Sequence, residues 1–444
     1  KNKVLFHNPV FLFLFLPIVL ILYYYTYKYS KFAHEYILII AGIFFYAWWN
    51  IYLSPIIIIS IIFNFYFGNL IKDSLNKNFK KKILFVSIFL NILFLAIFKY
   101  ADFIIENINF LINSNIDLPN LPFPLAMSFF TFQTIAYLVD CYDGNIKKTR
   151  FTQYSLFIIF FPQLIAGPIV KYNHMMSQFD DPNNRLINRQ NLNLGLVIIL
   201  IGLFKKIILA DNLAIFVEDG FSDNQNIEFF ASWLTSLSFT FQIYFDFSGY
   251  VDMATGIALL FNIRLPINFN SPYKSTSVIN FWQKWHITLA NFLTNYIYFP
   301  WVKSLKKVNF FKIMMIIFFV FLIAGIWHGP SWLYVIFGAL HGSGLIANHV
   351  YRKFFDYKFN NYFACFLTFN YINLTFIFFR SDSLDTALNI IKGMLGFNGF
   401  ELASYFEDEI KIIAILLLAI IVVFCFKNTS YLIDKFKLGV QKEN

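Results

Sequence analysis

The sequence predicts an all-α polytopic membrane protein, and two observations lead to this fold class. Hydrophobic residues make up 58% of the 444 residues and charged residues only 14%, whereas a soluble domain carries roughly a quarter charged residues. Apolar runs of about 20 residues, the length of a membrane-spanning helix, recur along the whole chain. Because these runs lack strand-like alternation, they indicate helices rather than a barrel.

About eleven to twelve spans are expected, with re-entrant segments between some of them. The first four lie near 9–27, 36–50, 55–71 and 83–98, and a further one lies in PLAMSFFTFQTIAYLVDCYDG. The positive-inside rule places the basic segment 72–82 in the cytoplasm and the acidic segment after residue 101 outside. Prolines and a glycine interrupt LFIIFFPQLIAGPIV, which predicts a re-entrant segment.

The second half of the chain continues the same pattern. Spans are expected near 195–217, 229–246, 249–262, 312–327, 332–350, 362–379 and 410–427. No internal repeat or soluble segment is visible, so residues 1–444 are predicted to form one domain. Its parts are N-terminal helices (about 9–112), a core (about 121–350) and C-terminal helices (about 362–427).

Charge and cysteine usage exclude several classes of protein. The net charge is +10, but the positive residues lie in short loops and form no basic face of the kind that binds nucleic acid. The three cysteines are far apart and form no CxxC pair, so they indicate neither a disulfide nor a metal site. No glycine pattern typical of nucleotide binding is present.

His328 lies inside a long uncharged run. No Asp, Glu, Lys or Arg occurs from Ile313 to Asn348, and a single helix through these residues, about 54 Å long, would exceed the hydrocarbon core. Gly329-Pro330 is the expected break, since proline lacks a backbone N–H and disfavours helix before it. Such an ionisable side chain usually lines a cavity or pathway. The alternative is a packing histidine that bonds a carbonyl.

A second histidine, His286, follows the aromatic and basic segment FWQKW. The neighbouring Trp285 and Lys284 are typical of a membrane interface, so an interfacial anchor is one interpretation. A basic patch beside a cavity would also suit a phosphate-bearing acyl donor. The histidine of HGSG, His341, is interpreted as part of small-residue helix packing, because the spacing of a GxSxG nucleophile elbow is absent.

Taken in order, these motifs resemble the membrane-bound O-acyltransferase (MBOAT) family, in particular its bacterial AlgI/PatA-like O-acetyltransferase branch. The resemblance covers nearly the whole chain. It rests on VFLFLFLPIVL, MSFFTFQTIAYLVDCYDG, FFPQLIAGPIVKY, GLFKKIILADNLA, FQIYFDFSGYVDMATGIALLFNIRLPINFNSPYKSTSVINFWQKWH, AGIWHGPSWLYVIFGALHG and FFRSDSLDTALNIIKGMLG. It implies a ring of helices around a central tunnel in the bacterial cytoplasmic (inner) membrane. Acetyl-coenzyme A is the implied donor substrate, with no bound cofactor or metal.

The resemblance also implies roles for individual residues. The histidine of the WHG element, His328, is the expected catalytic residue, and His286 is the second signature position. His328 would act as a general base on an acceptor hydroxyl or as an acyl-histidine relay, and the sequence leaves both open. Residues expected to line the tunnel or hold the donor are Trp327, Trp285, Lys284, Gln163, Gln242, Asp246, Ser248, Asp252 and Asn291.

One departure from the family concerns the donor's phosphates. Two arginines common in FWRRWH are replaced here by Gln283 and Lys284. Lysines that could substitute as point charges are Lys284, Lys303, Lys306 and Lys307.

The implied function is O-acetylation of a cell-envelope polysaccharide, either peptidoglycan or an alginate-like polymer. An extracytoplasmic partner protein is expected to complete the transfer, because this chain has no sizeable soluble domain. Two alternatives stay open at this point: D-alanyl transfer to teichoic acid, and a non-catalytic acyl transporter or scaffold subunit.

Overall fold

The structure is a computed structural model that describes residues 6–26, 32–222, 227–355, 359–400 and 409–440. Within these ranges all regular structure is helical. The α-helices, in chain order, are α1 (Leu16–Thr26), α2 (Ala33–Trp49), α3 (Ser54–Asp73), α4 (Lys77–Ile112), α5 (Met127–Tyr142), α6 (Phe151–Ile159), α7 (Phe161–Leu164), α8 (Tyr172–Asp180), α9 (Arg189–Leu203), α10 (Asp211–Gly220), α11 (Phe229–Leu260), α12 (Val278–Trp282), α13 (Ile287–Leu293), α14 (Phe299–Lys303), α15 (Phe310–His328), α16 (Trp332–Phe354), α17 (Asn361–Arg380), α18 (Leu384–Met394), α19 (Glu409–Cys425) and α20 (Thr429–Val440).

Seven helical stretches of the described residues are long and apolar enough to cross a membrane. They are Ile51–Asp73, Lys77–Ile112, Arg189–Gly220, Phe310–His328, Trp332–Phe354, Asn361–Arg380 and Ile410–Lys435. Two shorter apolar helices are Phe11–Thr26 and Ala33–Trp49. The prediction of an all-α polytopic membrane protein is therefore confirmed. The ring of helices and its central tunnel stay predictions.

Helix α4 is longer than the sequence suggests. The predicted span ends at residue 98 and an outer loop follows, but the structure continues the helix through Asp102 and Glu106 to Ile112. No glycine or proline occurs within α4 to interrupt it. The helix ends at Asn113, whose left-handed backbone (φ 50°) is a common terminator. The predicted boundary was wrong because acidic residues alone do not stop a helix.

Helix α11 replaces two predicted spans. The sequence indicates separate helices near 229–246 and 249–262, whereas the structure has one continuous helix. Gly249, which lies between the two, serves close packing instead of a turn. A Cβ atom on Gly249 would lie 2.8 Å from the carbonyl oxygen of Gly202. Small residues at such approaches let helices pack closely without breaking them, and this is why the predicted division was wrong.

Both predicted helix breaks are present. Helix α15 ends at His328 and α16 begins at Trp332. Ser331 caps the second helix, because its Oγ accepts the backbone N–H of Leu333 at 3.2 Å. In the other segment α6 stops at Ile159 and is followed only by the single turn of α7. The re-entrant course of that segment stays a prediction.

The chain divides into two compact units. Unit one comprises Lys1–Leu200 and Tyr250–Pro266, and unit two comprises Ile201–Gly249 and Ile267–Asn444. The organisation as one transmembrane domain stays a prediction.

Polar pairs join helices inside unit one. Asn64 of α3 and Asn91 of α4 exchange amide hydrogen bonds of 3.1 and 2.7 Å. The buried carboxylate of Glu35 on α2 pairs with the guanidinium of Arg150, before α6, at 2.8 Å. Because a lone polar group is costly in a membrane, such pairs fix which helices are neighbours.

Helices α15 and α16 form a closely packed antiparallel hairpin in unit two. Gly325 and Gly338 face each other, and a Cβ atom on Gly325 would lie 2.8 Å from the Cα atom of Gly338. Further along, a Cβ atom on Gly342 would lie 3.1 Å from the Cα atom of Phe318. The predicted small-residue packing around the HGSG motif is therefore confirmed.

Candidate functional site

His328 is the last residue of α15 and lies where the hairpin turns. Its ring centroid is 4.9 Å from that of Trp327, 5.1 Å from that of Phe379 and 5.8 Å from that of Phe337. Phe337 belongs to α16 and Phe379 to α17, so three helices meet around this imidazole. The side chain of His328 is only half-buried. Aromatic rings therefore hold the imidazole while part of its surface stays accessible.

His286 lies between α12 and α13 and is only 3% exposed. Its backbone is left-handed (φ 42°), an uncommon conformation for a residue other than glycine. The Phe247 ring and the imidazole pack nearly perpendicular to each other, with centroids 4.8 Å apart. Burial, and secondarily the nearby His328, lower the pKa of His286 to about 3. The imidazole is therefore neutral at physiological pH.

Asn268 holds the segment that carries His286. Its side-chain Oδ1 lies 3.2 Å from Nδ1 of His286 and accepts hydrogen bonds from both the backbone N–H and the hydroxyl of Thr288, at 3.1 and 2.9 Å. The backbone carbonyl of Asn268 accepts the N–H of Ile287 at 2.9 Å. Asn268 lies in INFN, within one of the family motifs, but the sequence gives no signal that assigns it a role.

A third histidine, His341, is completely buried in unit two. Trp282, the first tryptophan of FWQKWH, donates its indole N–H to Nδ1 of His341 at 3.1 Å. The other ring nitrogen lies 3.1 Å from the hydroxyl of Thr375, which itself donates to the carbonyl of Ile372 at 2.7 Å. Because an indole only donates, Nδ1 is the acceptor and Nε2–H the donor. His341 thus joins α12, α16 and α17.

Phe337 connects the surroundings of two histidines. Its ring centroid lies 4.4 Å from that of His341 and 5.8 Å from that of His328. The sequence assigns His341 a packing role only, and no local signal reveals that its partner Trp282 lies 59 residues away in the chain.

Trp285 and Lys284, two residues predicted to hold the donor, differ in their environments. Trp285 is buried among aromatic rings, including Phe269 at 5.1 Å and Phe376 at 5.4 Å between centroids. Lys284 is half-buried, and its carbonyl accepts the backbone N–H of Asn270 at 2.9 Å. Trp285 therefore contributes to the core, whereas Lys284 keeps part of its side chain accessible.

Three of the predicted polar residues lie on α11 in unit two. The carboxylate of Asp246 forms an ion pair with Lys206 at 2.6 Å, and Lys206 also pairs with Asp211 at 2.8 Å. The side-chain oxygens of Gln242 and Ser248 are buried and have no hydrogen-bond partner among the described residues. Lys206, the cation that pairs with both aspartates, was not among the predicted site residues.

The remaining predicted residues are placed elsewhere. Gln163 belongs to unit one, is buried, and donates its amide to the carbonyl of Phe157 at 2.7 Å. Asp252, also in unit one, is buried. Asn291 is exposed on α13. Trp327, beside His328, is largely buried.

A family model described as MBOAT, membrane-bound O-acyltransferase family, matches residues 126–382. The chain belongs to this family. The predicted family is thereby confirmed, and this MBOAT protein is an acyltransferase. The matched range contains all three histidines of unit two described above.

Curated relatives support the predicted branch of the family. A peptidoglycan O-acetyltransferase of Helicobacter pylori is 41% identical over 89% of this chain and 84% of its own length. A probable alginate O-acetylase AlgI of Pseudomonas aeruginosa is 31% identical over 83% of this chain and 71% of its own length. A teichoic acid D-alanyltransferase of Bacillus subtilis is 26% identical over 52% of this chain and 60% of its own length.

Basic residues of this MBOAT protein gather at the end of the hairpin opposite His328. Arg352, near the end of α16, donates to the hydroxyl of Ser277 before α12 at 3.2 Å. The ammonium of Lys353 lies 3.9 Å from the ring centroid of Phe310, where α15 begins. Exposed lysines just before or at the start of α15 are Lys303, Lys306, Lys307 and Lys312. By the positive-inside rule, a cytoplasmic location of this end is a prediction.

No metal centre is found in the part of the chain that the structure describes. There, no group of three or more His, Cys, Asp or Glu side chains could hold a metal ion.

Proposed function

We propose that this MBOAT protein is an O-acetyltransferase that uses cytoplasmic acetyl-coenzyme A for O-acetylation of a cell-envelope polysaccharide, either peptidoglycan or an alginate-like polymer. The similarity to a peptidoglycan O-acetyltransferase, 41% identity over 89% of the chain, carries this proposal. The similarity to probable alginate O-acetylases supports the same chemistry. The teichoic acid D-alanyltransferase of Bacillus subtilis is less similar and matches only about half of the chain.

The proposed chemistry centres on His328. Its neutral imidazole accepts the proton of an acceptor hydroxyl, whose oxygen attacks the thioester carbonyl. The carbon–sulfur bond breaks, the thiolate takes up the proton, and the products are an ester and a free thiol. Two features support this role. His328 is half-buried at a helix break. The segment that carries His286 packs on the same helix as His328, because Trp285 contacts Phe376 and His328 contacts Phe379, both on α17.

The direction of transfer is proposed from the hairpin. Its basic end, which includes Arg352 and Lys353, suits the phosphates of a cytoplasmic donor. His328 stands about 27 Å along the axis of α15 from Phe310, so the thioester must enter the membrane to reach it. The acceptor then approaches from the far side. We place the protein in the bacterial inner membrane, with an extracytoplasmic partner protein presenting or receiving the acetyl group.

Release of free thiol from acetyl-coenzyme A by purified protein in nanodiscs tests the proposal. Without its general base, His328→Ala should lose about 10²–10⁴-fold in rate, and His286→Ala should also be impaired. His174→Ala is the matched control, because His174 is an exposed histidine of unit one. Each variant is checked for intact folding by size-exclusion chromatography.

The donor and the partner are varied in the same assay. Acetyl-coenzyme A should be consumed, whereas a D-alanyl thioester on a carrier protein should not. Consumption of the D-alanyl thioester alone would replace acetyl transfer with D-alanyl transfer. A lack of thiol release with every donor, even with the partner and a polysaccharide acceptor present, would instead point to a transporter or scaffold subunit.

A further inference from the structure

We propose that Asn268 is a positioning residue that fixes the tautomer of His286, so that Nε2 of His286 is a proton acceptor in the acyl-transfer site. The catalytic consequence rests on the proposed function, but the tautomer itself follows from hydrogen bonds that do not depend on it. The sequence motifs assign no role to Asn268 and do not indicate the tautomer of His286.

The orientation of the Asn268 amide is decided by Thr288. The backbone N–H of Thr288 lies 3.1 Å from one side-chain atom of Asn268, and the Thr288 hydroxyl lies 2.9 Å from the same atom. A backbone N–H can only donate, so this atom must be the amide oxygen rather than the nitrogen. The amide is therefore not free to flip.

The tautomer of His286 follows from that orientation. Nδ1 of His286 lies 3.2 Å from the same amide oxygen, which can only accept. Nδ1 therefore carries the hydrogen and donates it to Asn268. A neutral imidazole has one N–H, and burial keeps the pKa of His286 low, at about 3. Nε2 is thus left with a lone pair that can accept a proton.

The backbone conformation of His286 also determines the direction of its imidazole ring. His286 has a left-handed conformation, and such residues persist only where their surroundings determine them. Here the carbonyl of Asn268 accepts the N–H of Ile287 at 2.9 Å, next to the two bonds from Thr288. Asn268 therefore fixes the position of His286 and determines that Nε2 is the ring nitrogen without a hydrogen.

The surroundings of His286 indicate the source of the proton that Nε2 accepts. Phe247 of α11 packs on the ring and is apolar. Trp285, next to His286 in the chain, packs on Phe376 of α17 at 5.4 Å between centroids, and Phe379 of the same helix packs on His328 at 5.1 Å. As the carbon–sulfur bond breaks, the proton that His328 takes from the acceptor hydroxyl passes through Nε2 of His286 to the leaving thiolate, and His286 does not stay protonated. Both histidines end neutral, so the step balances with no further reactant.

The tautomer is measured without any reference to activity. Protein labelled with ¹⁵N-histidine is examined by solid-state NMR in liposomes, with the His286 signals assigned by their loss in His286→Gln. We expect a protonated Nδ1 and an unprotonated Nε2 from pH 5 to 8. In Asn268→Leu, which removes the acceptor, the signals should shift towards the Nε2–H tautomer. The reverse tautomer in the wild type, or no change in Asn268→Leu, would overturn the proposal.

The pH profile of thiol release tests the catalytic consequence. Asn268→Leu should lower the rate about 10–100-fold. Asn268→Asp keeps the acceptor and adds a negative charge that raises the pKa of His286. Its rate should approach that of the wild type at alkaline pH and fall on the acid side, where His286 becomes protonated. A merely structural role would give the same loss at every pH.

Asn270→Asp is the matched control, because it adds the same charge two residues away, at an exposed position. Its profile should match that of the wild type. If Asn268→Leu retains the full rate, or Asn268→Asp lacks an acid limb, the relay through His286 is wrong even though the enzyme works. If the wild type consumes no thioester, the proposed function fails, and the NMR measurement still decides the tautomer.

Discussion

The hydrogen bond between Trp282 and His341 is expected to stabilise the folded protein in addition to the packing of the two rings. His341 is completely buried, and both of its ring nitrogens have partners, Trp282 and Thr375, at 3.1 Å each. Trp282→Phe removes the indole N–H and leaves Nδ1 buried without a partner, which costs about 1–3 kcal/mol. We therefore expect a melting temperature lower by a few degrees in detergent.

A double-mutant cycle separates the hydrogen bond from the lost ring area. In a His341→Phe background the indole N–H is already unpaired, so Trp282→Phe then removes a buried unsatisfied donor. Its destabilising effect should shrink by about 1–2 kcal/mol or change sign. Thermal unfolding of the four proteins gives the coupling. Equal costs of Trp282→Phe in the two backgrounds would refute the proposed bond and leave only packing at this position.

Three further predictions concern other parts of the molecule. Gly338→Ala should lower the melting temperature, since its new methyl group would meet the backbone of α15, whereas Ser343→Ala on the exposed face should not. Lys206→Met should lower the melting temperature only slightly, because Asp211 and Asp246, which lose their cation, are both about half exposed. Adding Asp246→Asn should recover part of this loss, since it removes one of the two like charges. Lowering the pH from 7 to 5 should reduce stability. The unfolded chain binds a proton at His286 below its ordinary pKa of about 6.5, while the folded protein, with a pKa of about 3, does not. His286→Gln should make this fall in melting temperature smaller, and an unchanged fall would contradict the assignment.

The parts of the fold that the sequence predicts well depend on local chemistry. The break after His328 follows from Gly329-Pro330, because proline acts on the residues next to it in the chain. The membrane-spanning helices follow from the length of their apolar runs. Membership of the family is also predictable from the sequence, because the motifs that indicate it are continuous stretches.

The parts that the sequence does not predict depend on partners far away in the chain. Whether Gly249 interrupts a helix depends on Gly202 lying against it. Asp246 is recognisable as a polar residue, but its role as the partner of Lys206 requires two helices to be placed side by side. In the same way, Asn268 becomes informative only when Thr288 fixes its orientation.

The facing glycines of the α15–α16 hairpin limit how this region can change in evolution. An extra residue inserted into α16 between Trp332 and Phe337 would turn the rest of the helix by about 100°. Phe337 would then occupy the place of Gly338, where even a methyl group has no room. Gain or loss of residues should therefore be rejected within these helices and tolerated in the exposed connection between Lys303 and Asn309. The facing glycines therefore constrain the lengths of α15 and α16 as well as the residues at their contact.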